Sequence, residues 1–188
     1  MKVEVDKEHK LTVIIPCFNE EECLETCLKS VCWADEILVV DSFSTDNSFK
    51  IAEKYAHRIL QHEYINSAAQ KNWAIPRAKN EWILILDSDE QVTPKLSEEI
   101  KGLLKKGPSK DGYWIYRNNY LFGKKIRFSG WGTDSLLRLF KRSISRYEVK
   151  SVHAEIQLKN TGILQHRLEH KSVSSISKWV NKINKYSS

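Results

Sequence analysis

Three acids close one short segment, Trp82-Ile-Leu-Ile-Leu-Asp87-Ser-Asp89-Glu90. An Asp-x-Asp pair held in extended chain aims both carboxylates to one side, because strand side chains alternate with a period of two. Two convergent oxygen donors suit Mg²⁺ or Mn²⁺, especially where a substrate phosphate completes the coordination shell. The competing reading is that these acids cap the helix that follows. Two further polar groups occupy comparable places: Asn19-Glu20 after the aliphatic run Leu11–Pro16, and Asp41 after Glu36–Val40. If those runs are parallel strands, all three sets of acids meet at one sheet edge, where open α/β sheets bind ligands. An acid and an amide there can hydrogen-bond ribose hydroxyls and a base edge, and a metal on Asp89 can hold a diphosphate. Neither G-x-G-x-x-G nor G-x-x-x-x-G-K-[ST] occurs, which disfavours dinucleotide and P-loop chemistry.

The elements that would position these groups alternate. Leu11–Pro16, Glu36–Val40, Arg58–Gln61 and 82–87 read as strands. Helices are expected from Glu20 to Val31, around Ile51, Ala52 and Tyr55, from 67 to about 79 after an Asn66 cap, and from Thr93-Pro94 to about Lys105. Pro76 predicts a kink or early stop in the third helix. The order β-α-β-α-β-α-β-α demands an α/β fold with a mostly parallel sheet and right-handed crossovers. After Gly107-Pro108 the pattern becomes more antiparallel, with strands at Gly112–Asn118, Lys124–Ser129, Ser135–Lys141 and Ile156–Leu164. A closing amphipathic helix spans about Ser174 to Tyr186. Its basic face could pack on the domain or touch an anionic membrane.

The 188 residues suit one well-buried domain, here in two halves, 1–106 and 107–188. Charge divides unevenly: residues 1–90 carry 10 Lys/Arg against 17 Asp/Glu, and residues 91–188 carry 20 against 7. A basic second half implies an anionic partner. No apolar run is long enough to span a membrane, and Met1-Lys-Val-Glu-Val-Asp lacks the apolar core of a signal peptide, so a cytoplasmic protein is expected. Cys23, Cys27 and Cys32 share a helical stripe with Leu24, Leu28 and Val31, and read as small core residues rather than a zinc site. Trp114, Tyr116, Tyr120, Phe128 and Trp131 read as core-facing strand residues, with Trp131 the first candidate for a sugar-stacking platform.

Val13-Ile-Ile-Pro-Cys-Phe-Asn-Glu, Val39-Val-Asp-Ser-Phe-Ser-Thr-Asp-Asn-Ser and Leu86-Asp-Ser-Asp-Glu together resemble the ordered signature blocks of family 2 glycosyltransferases of GT-A fold. Gln70-Lys-Asn, Trp131, Arg138-Leu-Phe, Val152-His-Ala-Glu and His170-Lys-Ser look most similar to bacterial lipopolysaccharide-core β-glucosyltransferases. That resemblance implies a metal-dependent, inverting transfer of a sugar, glucose first, from a UDP-sugar to a lipopolysaccharide-core or similar anionic glycolipid. It implies that Pro16, Asn19 and Glu20 line the nucleotide pocket and that Asp41 contacts uracil or ribose. Gln70, Lys71 and Asn72 would lie near the diphosphate and sugar, Asp87 near the ribose or a metal-bound water. Asp89 would bind Mn²⁺ or Mg²⁺, with His170, ahead of His166, completing the shell. Relatives continue past Lys182-Ile-Asn-Lys-Tyr, so a longer native chain is expected.

An inverting transfer needs a carboxylate beside the acceptor hydroxyl. The acids of the basic half narrow the choice to Asp134, Glu148 and Glu155. The resemblance places an acid where this chain has Ala154, and a one-residue shift on a strand turns a side chain to the other face. Glu155 is therefore the first candidate and Asp134 the second. Two other classes remain open. A sugar-nucleotide nucleotidyltransferase would need a basic, Gly-rich loop where Cys17-Phe-Asn-Glu-Glu-Glu stands. A nucleic-acid- or membrane-binding module would use the basic half with no UDP requirement. Within the first reading, Ala154 also leaves open a degenerate transferase that binds UDP without turnover.

Overall fold

The computed structural model describes residues 9–126, 133–147 and 156–173. β1 (Leu11–Cys17), β2 (Glu36–Asp41), β3 (Arg58–Gln61) and β4 (Trp82–Ile85) form the parallel part of the sheet, in the order β3-β2-β1-β4. Their aliphatic residues alternate between two cores. Val13, Ile15, Val39 and Leu84 face α1 (Leu24–Ser30) and α4 (Pro94–Lys106), whereas Ile14, Leu38, Val40, Ile83 and Ile85 face α3 (Ser67–Ala74). Burial on both faces is why these strands read as unbroken hydrophobic runs. α2 (Ser48–Tyr55) joins β2 to β3.

Beyond β4 the strand directions change. β8 (Ser135–Lys141) runs antiparallel to β4, and β6 (Gly112–Leu121) antiparallel to β8. The second half of β6 then pairs in parallel with β10 (Leu168–Val173), whose other edge takes β5 (Glu90–Val92) antiparallel. β7 (Lys124–Lys125) and β9 (Thr161–Ile163) also add to β6. β10 is thus inserted between β6 and the segment that directly follows Asp87-Ser-Asp89.

Several local expectations are corrected. α1 begins at Leu24, not Glu20, because Glu21 accepts from the backbone N–H and side chain of Asn47 and ties its segment to the β2–α2 loop. α3 ends at Ala74, and Ile75–Arg77 tightens into a 3₁₀ turn around Pro76, the early stop that proline predicts. The strand expected over 82–87 stops at Ile85, and the chain turns through Ser88 and Asp89 with Glu90 N–H donating to Asp87 C=O at 2.9 Å. Ile156–Leu164 is not one strand: Ile156 makes a single bridge to Tyr147, and β9 starts at Thr161. β5 and β10, two short strands too polar to show a hydrophobic period, were not anticipated.

Cys17 and Cys27 are buried, but Cys23 is only partly so and Cys32 is exposed, because α1 ends two residues before it. On β6, Tyr113 and Ile115 are buried in one core and the half-buried Trp114 packs on the other, as expected; Tyr116 and Tyr120 are half-buried. Phe128, Trp131 and the closing helix lie outside the described residues. Among the described residues, no helix is long and apolar enough to cross a membrane. Thr93, not an acid, caps α4 by accepting from Leu96 N–H at 3.2 Å. Thr93→Ala is expected to cost about 1 kcal/mol in urea denaturation, with an unchanged m-value.

Candidate functional site

The site begins where β1 and β4 separate. Their last paired residues are Ile14 and Ile85, and Pro16, which has no N–H to donate, lies beyond that point. β2 continues beside β1 as far as Cys17 opposite Asp41, so the C-terminal ends of β1, β2 and β4 lie side by side.

The loops leaving β1 and β2 brace each other. Asn19 (φ 54°) and Phe43 (φ 58°) both adopt the left-handed conformation, which is strained for Phe and tolerated by Asn. Asn19 N–H donates to Ser44 Oγ at 3.0 Å, and its side-chain carbonyl accepts from Thr45 N–H at 2.8 Å. Glu20 N–H donates to Ser48 Oγ at 2.7 Å, while its carboxylate accepts from the Cys23 thiol at 3.0 Å. The buried Asp41 accepts from Ser44 N–H at 3.1 Å and from Gln61 Nε2 at 3.2 Å. Burial, against weaker help from the Ser48 hydroxyl, pushes the Cys17 thiol up to about 12, so it remains an un-ionised core group.

Residues of α3 divide between bracing and the crevice. Gln70 donates to Ser42 Oγ at 2.6 Å, and Asn72 exchanges hydrogen bonds of 2.8 Å with both the C=O and the N–H of Tyr147. Asn72 therefore pins the Tyr147 segment to α3, with its amide turned to the backbone. Lys71 is buried; its Nζ lies 3.1 Å from Asp87 Oδ1 and 5.5 Å from the Tyr147 ring centre.

The two aspartates of Asp87-Ser-Asp89 do not share one partner, because the turn between them replaces the extended chain that would have aligned them. Asp87 is clamped by Lys71 and by Arg138. Burial alone would raise its carboxyl, but the Arg138 and Lys71 charges outweigh that and hold it well below the usual carboxylate range. Its side chain keeps 36% of its surface exposed, so a ligand can still reach it. Asp89 instead faces His170, with Oδ2 3.3 Å from Nε2. β10 lies between β5 and β6, with His170 opposite both Glu90 and Asn119.

A continuous polar network underlies both aspartates. Arg138 donates to Glu90 Oε1 at 2.7 Å, and Arg117 donates to the same oxygen at 3.1 Å. Glu90 is fully buried, and its second oxygen accepts from Asp87 N–H at 3.0 Å. Arg117 also grips Asp134 Oδ2 through Nε at 2.9 Å and NH2 at 2.6 Å, and Asn119 Nδ2 donates to that oxygen at 3.0 Å. Asp134, expected as a possible base, is thus committed to Arg117 and Asn119. Glu155 and Glu148 lie outside the described residues. His166 pairs with Glu99 at 2.9 Å, and its backbone N–H is held by the same carboxylate, which makes it an α4 anchor.

Beside Asp87 a cavity of about 110 Å³ opens among Lys71, Trp114, Ser135, Arg138, Tyr147 and Ile156. Arg138 is 2% exposed and its Nε has no partner among the described residues. Sequence reasoning named Glu90 among the acids but gave it no role, and missed Arg117 and Asn119 as parts of the site. A signal existed: on the β6 face that carries Tyr113 and Ile115, the next inward positions are a charge and an amide, Arg117 and Asn119. Such groups enter a core only as members of a satisfied network.

A family model described as Glycosyl transferase family 2 matches residues 12–157. The chain is similar to the lipopolysaccharide core biosynthesis glycosyltransferase LpsC of Rhizobium meliloti (strain 1021), at 30% identity over 152 residues. That match covers 78% of this chain and 56% of LpsC. An uncharacterized glycosyltransferase of Rickettsia typhi is 26% identical over 194 residues, covering 95% of this chain and 66% of that protein. The chain therefore spans between half and two thirds of the length of these two relatives. Among solved structures, S. aureus TarS 1–349 in complex with UDP-GlcNAc superposes with a TM-score of 0.69 at 18% identity, over 88% of this chain and 59% of that one.

Proposed function

Because this chain belongs to glycosyl transferase family 2 and has the GT-A fold, we propose that it transfers a sugar from a UDP-sugar to a glycolipid hydroxyl. The observation that carries this reading is the meeting of Asp89 and His170 beside the C-terminal ends of β1, β2 and β4. The UDP component is supported by the named ligand of TarS, and a lipopolysaccharide-core acceptor by the name of LpsC. Glucose as the donor sugar, inversion at the anomeric carbon and peripheral contact with an anionic membrane complete the proposal.

The donor set fits a divalent cation. A carboxylate oxygen and an imidazole nitrogen are 3.3 Å apart, and Mn²⁺ or Mg²⁺ accepts both types. Among the described residues no three His, Cys, Asp or Glu side chains converge as a full metal cage. An ion held by Asp89 and His170 would be completed by substrate oxygens. Bound there by Asp89 and His170, the ion would supply positive charge to the departing diphosphate.

The remaining roles fall to the chain itself. Asp41, with the braced loops around Asn19 and Glu20, would hold the uracil and ribose beside Pro16. Lys71 would face the diphosphate, and Gln70 and Asn72 keep α3 in place for it. Asp87, kept ionised by Arg138 and Lys71, would accept hydrogen bonds from ribose or sugar hydroxyls. We assign the base to Glu155, since Asp134 already serves Arg117 and Asn119. Its carboxylate would take the acceptor hydroxyl proton as that oxygen bonds to the anomeric carbon, and the bond to UDP breaks with its electron pair leaving on the diphosphate. Residues 1–106 thus serve the donor and 107–188 the acceptor, except that His170 reaches back to the donor's metal.

Titration calorimetry tests the donor half. UDP is expected to bind at least tenfold more tightly with Mn²⁺ than with EDTA, and equal affinity in the two would overturn the metal-dependent reading. Release of UDP from a UDP-hexose on adding bacterial glycolipid tests the transfer itself.

A further inference from the structure

We infer that Asn119 is a positioning residue that fixes the ring of His170 with its Nε2 turned to Asp89, and that Asp134 is what fixes Asn119. In its metal consequence this rests on the reading proposed above; in its geometry it does not. Asn119 is fully buried in β6, directly across from His170 in β10. Its Nδ2 lies 3.0 Å from Asp134 Oδ2, and its Oδ1 lies 2.6 Å from His170 Nδ1.

Chemistry decides which end of this amide faces which neighbour. An ionised carboxylate only accepts, so the amide NH₂ must face Asp134; the flipped amide would set two acceptors against each other. The carbonyl is then left for His170, and a carbonyl also only accepts. His170 Nδ1 must therefore carry a proton, and Nε2 is the nitrogen that points to Asp89 at 3.3 Å. Arg117 holds Asp134 in place through its two bonds to Oδ2. The acid expected as a possible base thus acts at a distance, through one amide, on the histidine of the candidate metal pair. Metal-binding histidines are commonly oriented by a partner on the second ring nitrogen, and losing that partner typically costs 10–100-fold in metal affinity.

The test reads the ring proton directly. With ¹⁵N-histidine label, and His170→Gln to assign the signal, the metal-free protein should show a solvent-protected proton on His170 Nδ1. Asn119→Leu, nearly equal in volume but without the amide, should lose that protection. Asp134→Asn, which still presents one oxygen to both Arg117 and the Asn119 amide, should keep it. Mn²⁺ affinity, followed by the free-ion EPR signal, should fall about 10–100-fold in Asn119→Leu and stay near wild type in Asp134→Asn. An unprotonated Nδ1 in the wild-type protein, or an unchanged Nδ1 proton in a folded Asn119→Leu protein, overturns the inference. If Asn119→Leu does not fold, the wild-type and Asp134→Asn spectra decide it, and loss of the Nδ1 proton in either overturns the inference. A wild-type protein that shows the Nδ1 proton but binds no Mn²⁺ upholds the positioning role and overturns the metal reading instead.

Discussion

Asp89→Ala should lower sugar transfer by about two to three orders of magnitude while leaving the fold intact. The magnitude follows from what charge stabilisation at a leaving group is worth, about 3–4 kcal/mol for one well-placed group. Stability should hold because Asp89 lies in a turn, and its backbone carbonyl, which accepts from Lys171 N–H at 3.0 Å, survives the substitution. The buried network runs through Asp87 and Glu90 rather than through Asp89. Steady-state UDP release and UDP calorimetry with Mn²⁺ make the check: the variant should lose the metal-dependent part of UDP affinity and retain the thermal transition. Wild-type transfer rates in Asp89→Ala would remove this residue from the reaction.

Arg138→Met should be strongly destabilising, costing about 3–5 kcal/mol. Arg138 is the cation shared by Asp87 and the fully buried Glu90, and methionine fills its volume without its charge. What the substitution leaves behind, a buried carboxylate short of one partner, costs more than the lost contact itself. At roughly 2–4 °C per kcal/mol for a domain of this size, the melting midpoint should fall by about 10 °C. Adding Glu90→Gln removes the stranded charge and should recover part of the loss; a double variant as unstable as the sum of the two singles would argue against a shared network.

The pH dependence of the same pair has a defined sign. Arg138 and Lys71 outweigh burial and hold the Asp87 carboxyl below its ordinary range. A carboxyl depressed on folding contributes stability above its unfolded pKa, near 4, and loses that contribution as pH falls toward the folded value. The stability gap between wild-type and Arg138→Met should therefore narrow below about pH 4, read from urea midpoints. The Asp87 side chain is more than a third exposed, so solvent screens part of this effect.

The parallel half of the fold was legible because its determinants are local. Leu11–Cys17, Glu36–Asp41 and Trp82–Ile85 are apolar runs whose length and flanking turns mark buried strands, and Pro76 stops α3 through its own ring. Once those strands are parallel, Asn19, Glu20, Asp41 and Asp87 must share one edge, and they do. The α/β half, and with it the standing of these polar groups at the ends of parallel strands, therefore followed from the sequence alone. What it could not determine depends on strands paired across long separations. β5 and β10 are short and polar, and β10 is placed by pairing with residues about fifty and eighty positions earlier. Only that insertion brings His170 to Asp89 and Asn119, and only the turn at Ser88 sends Asp87 to Lys71 and Arg138 rather than alongside Asp89. A carboxylate's role is set by which charges stand within a few ångströms of it, and that is decided by tertiary packing. Asp134 shows this most sharply: its composition allows a base, and its neighbours Arg117 and Asn119 make it a support for the histidine two strands away.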